Sequence, residues 1–184
     1  SEYLKELFLL IFPEFENFKR LGRLKKICNH SQINRNILLA VLLIDEKENH
    51  EYFAHKYNVS NDIKEKLNLF AKDLRLLREN KNFFDKDLEK NIYLSNKNHL
   101  INLNILNFAS NSKYKFKDFL DTFKNILKSK TYTFPIDGKY LMQNGMKEGS
   151  VLGRVLKVIE DEWIANDFKI SNDRVKEIIK SNLS

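Results

Sequence analysis

The chain has 184 residues, of which 42% are apolar, five are Gly and two are Pro, and it carries a formal charge of +7. This length fits one domain, or one compact domain with a small appendage. The scarcity of turn residues argues against sheet-rich folds, which need a turn about every ten residues. We therefore expect an all-α protein.

Two further features of the composition bear on location and partners. Cys28 is the only cysteine, so no intramolecular disulfide can form, and we expect a cytoplasmic protein. No run of about 18 apolar residues is present, so we expect no membrane partner. The 32 Lys and Arg against 25 Asp and Glu are compatible with a polyanionic partner, and also with a basic protein that binds no nucleic acid. Because the only Met residues are Met142 and Met146, we expect the chain to be part of a longer one.

The first third of the chain is predicted to be three helices. An amphipathic helix runs into Pro13, and Phe15 to Cys28 continues at helical spacing. The other face of this second segment carries a basic stripe, for which a solvated face is the first interpretation and a polyanion contact the second. Asn34 is placed to cap a third helix, whose apolar run from Ile37 to Ile44 predicts a buried central position. The stripe consists of Lys19, Arg20, Arg23, Lys25 and Lys26.

The middle of the chain continues the helical pattern. A short helix is expected over about 49–57, followed by a long amphipathic helix with Ser60 or Asn61 as its N-cap. Residues 80–84 are predicted to form a loop. Residues 85–94 and 98–108 are predicted to form a pair of helices. A further helix is predicted over about 115–130, with these residues facing the core: Phe116, Phe119, Leu120, Phe123 and Leu127.

Lysines and tyrosines alternate around that last helix. Basic side chains with interleaved aromatic rings could bind phosphates and stack a base, or could only keep the surface soluble while the rings pack. Both interpretations remain open from the sequence. The residues concerned are Lys113, Tyr114, Lys115, Lys117, Lys124, Lys128, Lys130 and Tyr132.

No arrangement of side chains predicts catalysis or a metal site. The four histidines, His30, His50, His55 and His99, lack the spacing that places two ligands on one helix face. The Asp85-Lys86-Asp87 run is followed by a helical pattern, so its acids are expected at a helix start instead of on a strand. In Glu160-Asp161-Glu162, successive residues on a helix diverge by about 100° and cannot converge on one ion.

The most informative stretch runs from Phe134 to Phe168. It contains four glycines, which we expect to form turns and closely packed contacts. It also contains four basic residues, which we expect to bind phosphate if any residue of the stretch does. A helix start with free N–H groups beside basic side chains can hold a phosphate, although a tightly packed helical hairpin is the preferred explanation of the glycines. The glycines are Gly138, Gly145, Gly149 and Gly153, and the basic residues are Lys139, Lys147, Arg154 and Lys157.

This stretch resembles the C-terminal region of bacterial class II CCA-adding enzymes and poly(A) polymerases. The resemblance rests on a Pro-x-x-Gly-x-x-Leu segment starting at Pro135, on the Gly-x-x-x-Gly-x-x-x-Gly spacing, and on the helix that ends near Trp163. Tyr140 stands where the family often has Asp, and Ser150 where it often has Pro. A fainter similarity to the helical body of the family extends over the N-terminal half.

The resemblance implies a division of the chain and a role for it. Residues 1–130 would be the end of the neck and the helical body, and 131–184 the tail. This part would bind tRNA or other RNA 3′ ends for CCA or poly(A) addition, together with the N-terminal head and neck of the parent chain. Catalysis, Mg²⁺ and CTP or ATP would belong to that head, so the chain itself would have no catalytic residue, metal or cofactor. Glu160-Asp161 matches only the first two residues of the Glu-Asp-x-x-Arg motif with which the neck templates the incoming nucleotide. It is not that motif, because Ile164 occupies the Arg position.

The competing hypothesis is a basic, all-helical protein-interaction module with no nucleic-acid role. In that case the positive charge would serve solubility only.

Overall fold

The computed structural model describes the backbone of residues 2–28 and 33–183, with side chains from Glu6 onward. Within this part the chain is all-α and contains no strand, which confirms the predicted fold class. None of the described helices has the length and apolar character needed to cross a membrane. The helices are α1 Glu2–Ile11, α2 Lys19–Leu24, α3 Arg35–Leu43, α4 Asn49–Lys56, α5 Asn61–Glu79, α6 Leu88–Leu94, α7 Lys97–Ser110, α8 Phe116–Lys128, α9 Gly138–Gln143, α10 Ser150–Ala165 and α11 Asn172–Ser181.

The helices form two compact units, Ser1–Ser129 and Lys130–Ser184, called here the N-terminal and C-terminal units. This division lies one residue from the sequence-based boundary between 130 and 131.

Two apolar helices form the centre of the N-terminal unit. The α3 helix begins at Asn34, whose Oδ1 accepts a hydrogen bond from Ile37 N at 3.0 Å, and the helix is buried over most of its length, as predicted. The α7 helix is buried from Leu103 to Ala109 and packs against α2, α3, α5 and α8. A helix that is apolar on all sides must be covered on all sides, which explains why the other helices surround these two.

Asn104 is the centre of a hydrogen-bonded group within this core. Asn104 of α7 is fully buried, and its Nδ2 donates to Phe119 O of α8 at 3.1 Å. Its Oδ1 accepts from the Tyr114 hydroxyl at 2.9 Å, and that hydroxyl also lies 2.8 Å from Thr122 Oγ1. Both ends of the Asn104 amide are therefore satisfied, and the bonds fix α8 against α7.

The predicted solvated stripe on α2 is wrong at two positions. Arg20 Nη1 donates to Val41 O at 2.9 Å and to Ile44 O at 2.6 Å, at the end of α3. Arg23 Nε donates to Phe108 O at 2.6 Å, Nη2 donates to Tyr114 O, and the guanidinium lies 4.2 Å from the centroid of the Phe108 ring. Both arginines satisfy carbonyls that the ends of α3 and α7 leave without helical partners. Lys19, Lys25 and Lys26 remain exposed.

Other helix boundaries and faces differ from the predictions in detail. Ser60, and not Asn61, caps α5, with its Oγ 3.5 Å from Ile63 N. The α6 helix starts only at Leu88, after the turns of residues 81–87. On α8, Ile126 is buried, whereas Leu127 is 51% exposed and Phe116 36% exposed. Ile126 follows Phe119 by seven residues, nearly two full turns, and so continues the buried stripe.

The C-terminal unit has its own core, built from α9, α10 and α11. Asp137 caps α9 by accepting from Tyr140 N at 2.9 Å, and Ser171 caps α11 by accepting from Arg174 N at 3.2 Å. Arg174 also donates to both carboxylate oxygens of Glu162, at 2.8 and 3.0 Å, and this bond lowers the pKa of Glu162. The buried residues are Leu141, Met146, Val155, Ile159, Val175, Ile178 and Ile179.

Arg23→Met should destabilise the chain by about 1.5–3 kcal/mol, because it removes charge-assisted hydrogen bonds to two carbonyls. Lys25→Met is the matched control, since it removes a positive charge from an exposed side chain two residues away. Urea unfolding followed by circular dichroism at 222 nm measures both. Equal stability of the two variants would show that Arg23 does not anchor α2.

Tyr114→Phe should cost about 1–3 kcal/mol at pH 8, because the buried Oδ1 of Asn104 loses its donor. Burial raises the pKa of Tyr114 to about 12, from about 10 in the unfolded chain. Between these values the unfolded chain has lost a proton that the folded chain retains, so the wild type loses stability as pH rises. Urea unfolding at pH 8, 10 and 11 should show the gap between wild type and variant narrowing. A constant gap would contradict the burial of an un-ionised hydroxyl.

Candidate nucleic-acid interface

The Phe134–Phe168 segment folds as a short helix, a glycine turn and a longer helix. Asp137 and Gly138 stand at the start of α9, where the carboxylate caps the helix. A Cβ atom on Gly138 would lie 3.3 Å from Leu152 Cδ2 of α10, a tight contact. Gly138 therefore allows the start of α9 to approach the first turn of α10 closely.

Gly145 ends α9 in a conformation that other residues avoid, with φ of +97°. Gly145 N donates to Met142 O at 3.1 Å, and Met146 N donates to Leu141 O at 3.2 Å. These two bonds are those of a Schellman motif, and the burial of Leu141 and Met146 supplies the apolar contact that usually accompanies it. The sequence spacing Leu141-x-x-x-Gly145-Met146 thus has a local structural cause.

The other two glycines have no close neighbours. Gly149 has φ of +148° and stands as N-cap of α10, where it offers no side-chain cap. Gly153 lies in the first turn of α10. No described heavy atom lies within 4 Å of a Cβ placed on either residue, so the close backbone approach expected at Gly149 and Gly153 is absent. Both face open space on the solvent side of the turn and helix.

The four predicted phosphate-binding residues do not converge on one pocket. Lys147 lines a cavity of about 400 Å³ at the N-terminus of α10, together with Glu148 and the loop from Gly145 to Val151. Lys139 on α9 and Arg154 on α10 have exposed side chains. In the described part of the unit, Lys139, Arg154 and Lys157 do not line this cavity.

Lys157 is engaged by acids of its own helix. Its Nζ lies 2.9 Å from Asp161 Oδ1 and 3.0 Å from Glu160 Oε2, and these bonds, with Asp161 first, raise the pKa of Lys157. A phosphate would have to compete with two carboxylates, so Lys157 is a poor candidate for this role. The signal was present in the sequence, because acids at i+3 and i+4 from a lysine lie on the same helix face.

Lys139, Lys147 and Arg154 have a different environment. None of the three forms an ion pair within residues 33–183. Arg154 also has an apolar surround on the exposed face of α10, since Val151 and Val158 are 41% and 52% exposed. The inward face of the same helix carries Val155, Ile159 and Trp163.

In the described residues no three His, Cys, Asp or Glu side chains form a metal-binding group. His99 Nε2 lies 2.7 Å from Asp73 Oδ2 and its ring stacks on Phe70. His50 is buried, and burial lowers its pKa. Asp87 accepts from Asn80 Nδ2 at 2.8 Å beside the start of α6. His30 lies outside the described residues.

Gly145→Ala and Gly153→Ala should change stability in opposite directions. Alanine at position 145 should destabilise by at least about 1 kcal/mol, because a Cβ is strained at positive φ. Alanine at 153 should stabilise by about 0.5–1 kcal/mol, because it favours the helix and has open space. Thermal unfolding of the two variants measures the difference. A stabilised Gly145→Ala protein would contradict the φ of +97°.

Of the four predicted phosphate-binding residues, Lys147 lines the cavity at the start of α10 and the other three lie outside its lining. Within residues 33–183, Lys139, Lys147 and Arg154 have no ion pair that a phosphate would have to displace, whereas Lys157 has two. Comparisons of the chain with protein-family models, with curated proteins and with solved structures found no match.

Proposed function

We propose that the chain is the RNA-binding C-terminal part of a template-independent RNA nucleotidyltransferase, which adds CCA to tRNA or poly(A) to RNA. In this proposal a catalytic head on the same parent polypeptide carries the reaction, with Mg²⁺ and CTP or ATP. The chain described here holds the RNA so that its 3′ end reaches that head. The setting is the cytoplasm.

The Phe134–Phe168 segment carries the proposal. Its resemblance to the class II enzymes lies in spaced residues, and in the structure several of these have a distinct geometric task. Asp137 caps α9, Gly138 permits the contact with Leu152, and Gly145 closes the Schellman motif. Gly149 and Gly153 of the same pattern have no close neighbour among the described residues, so the support comes from the part of the pattern between Pro135 and Met146.

The exposed cations support RNA as the partner. Lys139, Lys147 and Arg154 have no ion pair in the described part of the chain, so a phosphate could replace water on them without displacing a carboxylate. Contacts of this kind position a nucleic acid through its backbone and do not read its sequence. A protein that binds many different tRNAs needs such sequence-independent contacts.

An exposed apolar surface favours the second candidate, a protein-interaction module. Leu10 and Ile11 of α1 are 81% and 58% exposed. Apolar residues of this size at a surface are typical of protein contacts. In the leading proposal the same surface would contact other parts of the parent chain, so RNA binding is the property that distinguishes the two candidates.

The purified chain should bind tRNA in a fluorescence-anisotropy titration, and log Kd should rise linearly with log salt between 50 and 200 mM. Each phosphate contact contributes about 0.7–0.9 to the slope. The chain should incorporate no nucleotide from CTP or ATP with Mg²⁺. Absence of tRNA binding at 50 mM salt would favour the protein-interaction module, and robust incorporation would overturn the assignment of catalysis to another domain.

A further inference from the structure

The positive charge of the chain is unevenly distributed between its two units. The N-terminal unit has 23 Lys and Arg against 17 Asp and Glu, a net charge of +6, whereas the C-terminal unit has 9 against 8, a net charge of +1. Half of the N-terminal surplus lies in residues 113–129, which hold five Lys and two Asp. A nearly neutral C-terminal unit is not expected to supply most of the attraction to a polyanion.

The lysines of this segment lie on the outer face of α8. Phe119 and Ile126, fully buried, face the core, and Lys117, Lys124 and Lys128 are exposed on the opposite side. Steps of seven and four residues keep these three lysines within about 40° of one another around the helix. They span 11 residues, or about 16 Å along the axis.

In the part of the chain that the structure describes, these three lysines differ from Lys157 in their ion pairs. None of them forms an ion pair within residues 33–183, in contrast to Lys157, which holds two carboxylates. Asp118 is engaged at the helix start, where its Oδ2 accepts from Lys115 N at 3.2 Å. Asp121 is the one acid on the lysine face of α8, and it reduces the charge of that face from +3 to +2.

The tyrosine next to this face does not offer a ring for stacking a base. The hydroxyl of Tyr114 lies 2.9 Å from Asn104 Oδ1, so its ring points inward between α7 and α8. In the C-terminal unit, Tyr132 stacks on Phe168 with ring centroids 3.9 Å apart. Of the two possibilities that the sequence left open for these rings, packing is therefore the one observed.

The chemistry of the face fits phosphates better than a protein surface. Lysine is depleted at the centre of protein interfaces, which need aromatic or apolar anchors, and the line of three lysines contains none. An ammonium group on a flexible stem is a point charge that contacts a phosphate from many angles. An RNA strand carries one negative charge per phosphate, so a strip about 16 Å long can face several phosphates.

We propose that the face of α8 formed by Lys117, Lys124 and Lys128 contacts the phosphate backbone of the RNA and supplies more of the salt-dependent affinity than the C-terminal cations do. This inference rests on the proposed function. It moves the main electrostatic contact from the tail to a helix of the N-terminal unit.

Two variants with equal loss of charge test the inference. K117Q/K124Q/K128Q removes three charges from α8, and K139Q/K147Q/R154Q removes three from the C-terminal unit. If each α8 lysine contacts one phosphate, the first variant should lower the slope of log Kd against log salt by about 2–3. The second should lower it by less. K117R/K124R/K128R should retain the wild-type slope, because it keeps the charges.

The outcomes separate the two levels of the proposal. If the wild type binds no tRNA, the proposed function fails, and the α8 inference fails with it. If the wild type binds and the α8 glutamine variant keeps its full slope while its circular dichroism spectrum is native, only the α8 inference is overturned. Polyglutamate bound by the wild type but not by the α8 variant, with tRNA binding equal in both, would assign the face to an acidic protein and likewise overturn it.

Discussion

The contact between α2, α7 and α8 is the constraint on which the N-terminal unit depends. Arg23 binds carbonyls of Phe108 and Tyr114, and Tyr114 in turn binds Asn104 inside the core. Each polar group in this chain of bonds would be costly to bury without its partner, so the bonds support one another. Because Tyr114 also lies against Thr122 and the backbone of Asp118, the same network sets how α8 is rotated.

That rotation determines which side chains of α8 meet solvent. Because Phe119 and Ile126 face the core, the lysines on the opposite side of α8 face solvent. A rotation of one residue, about 100°, would bring Leu127 toward the core and turn the line of lysines away from the outer face. The electrostatic surface is thus a consequence of the buried hydrogen bonds beneath it.

Sequence reasoning succeeded where structure depends on near neighbours. The caps at Asn34 and Ser60 involve groups three residues apart, and the helices that make the chain all-α depend on bonds between residues four apart. It failed for Arg23, because the carbonyls that this residue binds are 85 and 91 residues away in the sequence. The central place of α7 was also missed, since its Asn residues make the helix look more polar than its surroundings require.

In the candidate site, too, the local features could be predicted from the sequence and the long-range contacts could not. Helix ends and turns around Gly138 and Gly145 follow from residue type, because a left-handed backbone and a tight contact favour glycine. The absence of neighbours at Gly149 and Gly153 does not follow from it, since packing against distant residues is not encoded in spacing. The net charge of each unit can be counted from the sequence, but only after the structure has placed the boundary between the units at Ser129.

The difference of +6 and +1 between the units has a kinetic consequence. In the field of a polyanion, a molecule charged mainly in one part is turned as well as attracted, so the charged part arrives first. Under the proposed function, the N-terminal unit would make the encounter with the RNA, and the C-terminal unit would then contact it by short-range interactions. Salt would act chiefly on the association rate, whereas the exposed valines beside Arg154 would act on the lifetime of the complex.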